Sequence, residues 1–272
     1  MLVRRAADSR LPSRTGPLPL YAVTRGVSAT LNEGQLTYKT REAIDIKLAR
    51  QQHRAYEEAL ESLGATIVHL PARDEFPDAV FVEDAAVVVD EFAVITTPGA
   101  PSRAGEGELL TDTLKRYRLL QRLTPPATLD GGDIIQAGRT VYVGLSKRTN
   151  PAGLEQLHTL LTPLGYTVVP VAVKGALHLK TAITYAGRNT VLANPEWTDL
   201  AAFKDLRVLE VPKHEPWGAS VLDVNGTLIM PASFPATRAV LERAGFQCRA
   251  LDLSELQKAE GGPTCLSILI KV

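Results

Sequence analysis

Alternation of apolar and polar positions repeats one pattern along the chain. Two short β-branched runs are joined by a turn, then come apolar residues at spacings of three and four, then another strand-like run. The first complete copy is AAVVVDEFAVITT (85–97), the helix-like 103–117 and LLQRLT. In the second, DIIQAGRTVYVGL (133–145) turns at Ala137-Gly138 and leads into PAGLEQLHTLLTPLG and YTVVPVAV. The third, TAITYAGRNTVLAN (181–194), turns at Ala186-Gly187 and is followed by a short helix near 197–205 and RVLEVP. The fourth, ASVLDVNGTLIMPA (219–232), turns at Asn225-Gly226, a strong hairpin signal, before PATRAVLERAG and QCRALDL.

A fifth copy is split between the two ends. YAVTR (21–25), the helix-like 42–64 and ATIVHLP lie near the start, and CLSILI (265–270) closes the chain. If these pieces share one unit, five units close into a ring and the last strand has no exposed edge. The expected fold is therefore an α/β ring of five ββαβ-type repeats, a single domain over 20–272 preceded by a loose tail over 1–19. The plainer alternative is a mixed α/β sheet in which hairpins recur by chance.

Composition narrows the class without naming a function. The 272 residues are 45% hydrophobic and 22% charged, which excludes wholesale disorder. Lys plus Arg (30) balance Asp plus Glu (30), so net charge gives no reason to expect a nucleic-acid or membrane-surface partner. No apolar run approaches the roughly 18 residues that would cross a bilayer. Cys248 and Cys265 form no CxxC pair and cannot build a disulfide framework, a usage that suits a reducing cytosol. The opening MLVRRAADSRLPSRTGPLP lacks the hydrophobic stretch of a secretory signal, so a cytoplasmic protein is expected, either a monomer or a homodimer.

Chemistry enters when the reactive residues are placed on the repeat. Directly before the first hairpin strand of successive units stand Glu83-Asp84, Asp130 in LDGGD, His178 in GALHLK and Cys265 in GGPTC; the fourth unit offers only Pro216-Trp217 there. Equivalent places in a closed ring point toward one axis, so carboxylates, an imidazole and a thiol would share a central pocket. Each has a dull reading alone. Cys248 reads as a small buried hydrophobe, and His53, His69, His158 and His214 as surface or packing residues. Glu83 and Asp84 could be satisfied by an internal salt bridge, and LDGGD could be only a glycine turn. Their common phase favours the functional reading.

A thiol with an imidazole and an acid suits covalent catalysis by a thiolate. An ordinary thiol is only a few per cent ionised at pH 7, and a neighbouring cation, either imidazolium or the substrate, could lower its pKa. With Asp78, Glu83, Asp84 and Asp130 near one pocket, an anionic substrate would be repelled. A guanidinium, which forms two-pronged hydrogen bonds with carboxylates, fits.

The residues PDAVFVEDAAVV (77–88), TPGAPSR (97–103), TLDGGDIIQAGRTVYVGLSKRTN (128–150), GALHLK (175–180) and GGPTCLSILI (261–270) resemble the dimethylarginine dimethylaminohydrolases, of the guanidino-group-modifying superfamily. The resemblance runs from about residue 21 to the C-terminus and implies a five-bladed α/β propeller, the pentein fold. It also implies hydrolysis of Nω-methylated arginines to citrulline and an amine, through a covalent S-alkylthiouronium intermediate and without a cofactor or metal. By position, Cys265 matches the nucleophile, His178 the general acid and later base, and Asp130 the acid that orients the imidazole. Asp78, Glu83 and Asp84 match substrate-binding acids, and Arg103 and Arg148 match a pair that holds the α-carboxylate. Leu36 matches a lid residue, and the backbone at Ala259-Glu260 matches a further substrate contact. Two positions depart from the pattern: Glu260 stands where Asp is frequent, and Leu266 where some relatives carry a second cysteine. The rival readings are an arginine or agmatine deiminase, an amidinotransferase, a non-catalytic binder of cationic ligands, and adventitious zinc on the thiol.

Overall fold

A computed structural model describes residues 18–272, and it closes the ring. The tail expected over 1–19 lies, up to residue 17, outside the described residues. Strand β1 (Leu20–Arg25), helix α1 (Ile46–Ser62) and β2 (Ala65–Leu70) open the chain. Then follow β3 (Ala86–Val88), β4 (Phe92–Ile95), α2 (Glu108–Leu114) and β5 (Leu119–Arg122). The next unit is β6 (Ile134–Ala137), β7 (Thr140–Leu145), α3 (Pro151–Leu161) and β8 (Thr167–Ala172). After a single turn of helix, α4 (Leu179–Ala182), come β9 (Ile183–Gly187), β10 (Thr190–Ala193) and β11 (Arg207–Glu210). The last units are β12 (Leu222–Val224), β13 (Thr227–Pro231), α5 (Pro235–Arg243) and β14 (Gln247–Leu251), then α6 (Ser254–Lys258) and β15 (Ile268–Lys271).

Every sheet has three strands built alike: an antiparallel pair with a third strand parallel to its second member. The split unit obeys the same rule. β15 pairs antiparallel with β1, with Tyr21 opposite Ile270, and β1 pairs parallel with β2. The C-terminal strand is thus an ordinary hairpin strand whose partner lies more than 240 positions away in the chain.

The core follows from this arrangement. Sheets of three short strands cannot bury both faces alone, and five apolar clusters occupy the five junctions between consecutive blades. Val94, Leu129, Val143 and Leu157 fill the junction of the β3–β5 and β6–β8 blades. Ile135, Tyr142, Ile183 and Phe203 fill the next, with the rings of Tyr142 and Phe203 stacked at 4.3 Å. Leu192, Met230 and Leu241 fill the third, and Tyr56, Leu60, Ile229 and Leu256 the fourth. Val23, Ile268 and Ile270 pack against Val82, Ala93 and Leu114, so the closing junction is as apolar as the others.

Caps set several helix limits. The Asp45 carboxylate accepts from the Leu48 N–H at 3.0 Å, which starts α1 four residues after the boundary the apolar spacing predicts. Asn150 accepts from the Gly153 N–H at 2.8 Å with Pro151 at the first helical position of α3. The helix-like 103–117 shortens to α2, and the helix expected near 197–205 is only a 3-10 turn, Leu200–Phe203, capped by Asp199. The hairpin turn expected at Ala186-Gly187 lies at Arg188-Asn189, both left-handed with φ of 49° and 54°. That turn gives β9 and β10 the primed geometry that a right-twisted hairpin needs. The turn expected at Ala137-Gly138 is displaced by one residue, to Gly138-Arg139. Helix α6 was not anticipated.

Closure predicts where stability is most exposed. Ile270 is 1% exposed in the closing junction, and Ile270→Ala removes side-chain volume there without touching the pocket. A loss of about 2–5 kcal/mol in urea unfolding, with the slope unchanged, is expected. A loss under about 0.5 kcal/mol would show that the ring does not depend on this junction.

Candidate active site

Each blade is approached through a short turn, helical before β3, β6 and β9, and these turns carry the residues singled out from sequence. Glu83 and Asp84 lie in the 3-10 turn Val82–Ala85, Asp130 directly precedes the turn Gly131–Asp133, and His178 directly precedes α4. Cys265 lies in the turn before β15. Backbone hydrogen bonds join neighbouring turns: the Glu83 N–H donates to the Cys265 carbonyl at 3.2 Å. The glycines of LDGGD are required here. A side chain on Gly131 would collide with the Glu83 carbonyl, and a Cβ on Gly132 would stand 2.7 Å from Asp84 Oδ1 and 2.8 Å from His178 Nδ1. The glycines of LDGGD therefore let the Gly131–Asp133 turn lie directly against the Val82–Ala85 turn.

His178 Nε2 and Asp130 Oδ2 are 2.9 Å apart, and both residues are buried. The other Asp130 oxygen accepts from the Gly99 N–H at 2.8 Å, which fixes the carboxylate. Burial opposes charge on the imidazole, but Asp84, the hydrogen bond to Asp130 and the charge of Asp133 outweigh it and raise its pKa to about 9. The ring is therefore an imidazolium at neutral pH. Asp84 shows the converse balance. Burial would raise its pKa, yet His178 and Arg103 hold it down to about 2, with Oδ2 2.5 Å from Arg103 Nη1 and Oδ1 accepting from the Gly132 N–H at 3.0 Å.

The thiol behaves differently. Burial first, then the negative charges of Glu83 and Asp84, push the Cys265 thiol up to about 12. Imidazolium was one candidate for lowering it, but in the free site the carboxylates prevail. At that value only about one thiol in 100,000 is ionised at pH 7. Cys248 is pushed up to about 11 by burial and packs beside Ala250 and Phe234, as a structural cysteine does.

Two adjoining cavities, of about 340 and 450 Å³, meet at His178, Cys265, Glu260 and Gly261. The smaller is walled by Asp78, Asp84, Arg103, Arg148 and Ala259, which places acids and arginines together on one side of the thiol. The larger is walled by Lys39, Lys180, Trp217 and Phe234. Most residues singled out from sequence thus converge; Glu83 and Asp130 stand behind this lining, paired with Lys180 and His178, and three others need qualification. Leu36 is half-buried in the segment above the site but lines neither cavity. Glu260 contributes its side chain, whose Oε1 accepts from the N–H groups of Thr37, Tyr38 and Lys39.

Arg103 is the third. Its guanidinium spans Asp84 and Glu106 and donates to the Phe81 carbonyl at 3.0 Å, so most of its donors are spent on the protein. Arg148 is freer: its charged partner is Asp130, at 3.8 Å.

Sequence reasoning missed several partners. Lys180 donates to Glu83 Oε1 at 2.6 Å and to the Gly131 carbonyl at 3.2 Å. Lys180 ends the GALHLK motif two positions after His178, a signal that was available. Asp133 accepts from Ser146 Oγ, Thr149 Oγ1 and the Leu179 N–H, and so anchors the turn that bears His178. Burial raises its pKa to about 6 despite those donors. Asp84, Asp130 and His178 offer ligand atoms within 4.8 Å of one another, yet a cation there would displace the His178 proton and compete with Arg103. The group is better described as a neutralised ion network than as a metal centre. Among the described residues, no helix is long and apolar enough to cross a membrane.

Comparison with known proteins agrees with this geometry. Residues 19–208 match the family described as N,N dimethylarginine dimethylhydrolase, eukaryotic. The chain is 40% identical over 252 residues to the N(G),N(G)-dimethylarginine dimethylaminohydrolase of Streptomyces coelicolor, covering 92% of this chain and 96% of that protein. It is 38% identical over 226 residues to the enzyme of the same name from Pseudomonas aeruginosa, covering 82% and 89%. The solved structure of a Cys-to-Ser mutant of the Pseudomonas aeruginosa DDAH, complexed with citrulline, superposes with a TM-score of 0.87 at 34% identity, over 94% of this chain and all of that one. The N-terminal domain of ArgZ, a cyanobacterial arginine dihydrolase, superposes at 0.84 over 93% of this chain and 98% of that one, but at 17% identity it speaks for the fold alone. With a matching motif set, a pentein ring and relatives of this similarity over nearly the whole chain, the protein belongs to the dimethylarginine dimethylaminohydrolase family.

Proposed function

We propose that the protein hydrolyses Nω-methylated arginines to citrulline and a methylated amine. The observation that carries this reading is the meeting of Cys265 with His178, held as an imidazolium by Asp84 and Asp130, in a pocket that sets Asp78, Asp84 and Glu260 against Arg103 and Arg148. Acids and arginines on one wall suit a substrate that carries both a cationic group and a carboxylate. The relatives named above, and the citrulline bound to one of them, supply the substrate class.

In the proposed reaction the guanidinium lies against Glu83 and Asp84, and its charge offsets the carboxylates that keep the thiol protonated. The free protein then holds an unreactive thiol, and substrate arrival creates the nucleophile. The thiol proton passes to solvent as the sulfur forms a bond to the guanidinium carbon and the C=N electron pair moves onto nitrogen. As the C–N bond to the methylated nitrogen breaks, the imidazolium of His178 donates its proton to that nitrogen, which departs as the amine. The now neutral imidazole takes a proton from water, the hydroxide adds to the same carbon, and the C–S bond breaks to restore the thiol and release citrulline. Asp130 keeps the ring oriented throughout, and Asp133 anchors its turn. Arg148 holds the α-carboxylate, with Arg103 chiefly a counter-ion to Asp84 and Glu106. Asp78 faces the ammonium end, and the Ala259 backbone is a further contact at that side.

Cys265→Ser is expected to lower citrulline formation from asymmetric dimethylarginine at least about a thousandfold while the unfolding midpoint stays put. Turnover near that of the parent would remove Cys265 from its role. The same assay with plain arginine, read for ammonia, separates this activity from deimination. Arg148→Ala should raise KM by about ten- to a hundredfold and change kcat less, and an unchanged KM would mean the carboxylate is held elsewhere.

The pKa directions give a pH prediction. His178 serves as an acid while protonated, so that function is present below about pH 9 and lost above it. The free Cys265 thiol, at about 12, should react with iodoacetamide about tenfold faster per pH unit from 7 to 10, as followed by peptide mapping. A plateau near pH 8 would show that the free thiol is already activated.

A further inference from the structure

Residues 34–41 pass over the mouth of the pocket as a strap that belongs to no strand or helix. It is fastened at two points. At its start both oxygens of Asp78 accept from the Gln35 N–H, at 3.0 and 3.1 Å. At its centre a single oxygen of Glu260 accepts from three successive N–H groups, those of Thr37, Tyr38 and Lys39, at 3.0, 2.6 and 2.7 Å. Three adjacent N–H groups turned toward one point form an anion-binding nest, and here the anion is a side chain more than 220 positions along the chain. Lys39 extends the fastening. Its Nζ donates to the Gln257 carbonyl at 2.6 Å and stands 4.9 Å from the centre of the Trp217 ring.

Two further features distinguish Glu260 from an ordinary structural acid. Its backbone is left-handed, with φ of 60°, where side chains other than Gly, Asn and Asp are uncommon. A residue with a Cβ tolerates that region when its side chain has work that glycine cannot do, and an outlier of this kind points from geometry to function. In addition, Glu260 is 9% exposed, and its second oxygen, Oε2, is buried with no hydrogen-bond partner among the described residues, at a residue that lines both cavities. One oxygen therefore faces the strap and the other is left for the cavity.

We infer that Glu260 is the latch of the active-site strap: a positioning residue whose carboxylate holds residues 37–39 down over the pocket from inside. The strap retains a bound substrate because the carboxylate that pins it stands at the junction where the two cavities meet. The expected effect on retention rests on the activity proposed above; the fastening of the strap does not.

The strap carries two trypsin sites, Lys39 and Arg41, which report its release directly. Glu260→Gly removes the latch and relieves the left-handed strain, so the fold should survive; Glu260→Gln keeps an oxygen that can accept from the nest. In limited trypsinolysis of the full chain without substrate, cleavage after Lys39 and Arg41 is expected about tenfold faster in Glu260→Gly than in the parent, with Glu260→Gln within about threefold. Cleavage of Glu260→Gly at the parental rate would overturn the latch, whatever the enzyme turns over. Faster cleavage spread evenly along the chain, with a lowered unfolding midpoint, would also overturn it, since the residue would then be only structural. In the citrulline assay Glu260→Gly should raise KM at least about tenfold and lower kcat less, a split that general damage would not produce. A fall in kcat at unchanged KM would reject the retaining role. Release of the strap in a protein that makes no citrulline would leave the latch standing and defeat the proposed reaction instead.

Discussion

The structure depends on one electrostatic constraint: closing the ring forces carboxylates from several blades into a space where water cannot solvate them all. Asp78, Glu83, Asp84, Asp130, Asp133 and Glu260 are all buried around the axis. A buried carboxylate is tolerated when a cation or hydrogen-bond donors face it. Arg103 faces Asp84 and Glu106, Lys180 faces Glu83, His178 faces Asp84 and Asp130, and backbone or hydroxyl donors serve Asp78, Asp133 and Glu260. Compensation is incomplete. Glu83 Oε2 and Glu260 Oε2 have no partner among the described residues, and burial raises the pKa of Glu83 in spite of Lys180. The residual negative field adds to burial in keeping the thiol protonated, and the guanidinium of the proposed substrate would offset it.

This coupling explains why the imidazole and the thiol, though neighbours, shift apart. Burial first and then Glu83 raise Cys265 to about 12, and the Asp84 charge that raises His178 to about 9 adds to that rise, because it stabilises a positive group and opposes a negative one. A Cys–His pair in a neutral pocket would exchange a proton spontaneously. Here that exchange is held back by burial and the neighbouring carboxylates, so an alkylating agent that reaches the free site meets a neutral thiol.

Much of the fold was legible in sequence because the information is local and repeated. Asn225-Gly226, the β-branched runs and the threefold and fourfold apolar spacings each specify a hairpin or a helix without reference to the rest of the chain. Their recurrence then implied the ring, and the ring put the acids, His178 and Cys265 in one phase. What sequence did not show depends on contacts between blades. Lys180 lies in a quoted motif, but only the packing of α4 beside the Val82–Ala85 turn makes it the counter-ion of Glu83. Arg103 looked like a free carboxylate ligand because its two acidic partners, Asp84 and Glu106, are identified only once the 3-10 turn Pro101–Arg103 is placed. The displaced β9–β10 turn has the same origin: Gly187 is left-handed as expected of a turn glycine, but the register with Thr190 carries the reversal to Arg188-Asn189.

The reactive groups sit on different blades, so no local motif can fix their separation. The work falls to hydrogen bonds that tie each lead-in turn to the next: Glu83 N–H to the Cys265 carbonyl, Gly132 N–H to Asp84, and Leu179 N–H to Asp133. In sequence order around the axis these bonds link the thiol turn to the acid turn, the acid turn to the glycine turn, and the glycine turn to the imidazole turn. A displacement of one blade is therefore transmitted to its neighbour through a bond whose partners are buried, where breaking it leaves an unpaired polar group. The five apolar junctions hold the blades at fixed angles, and these bonds convert that rigidity into a fixed distance between sulfur and imidazole. The strap is the exception that a binding site needs. It belongs to no blade: residues 34–41 lie outside every strand and helix, while Gln35 and Lys39 line the two cavities that the blades enclose.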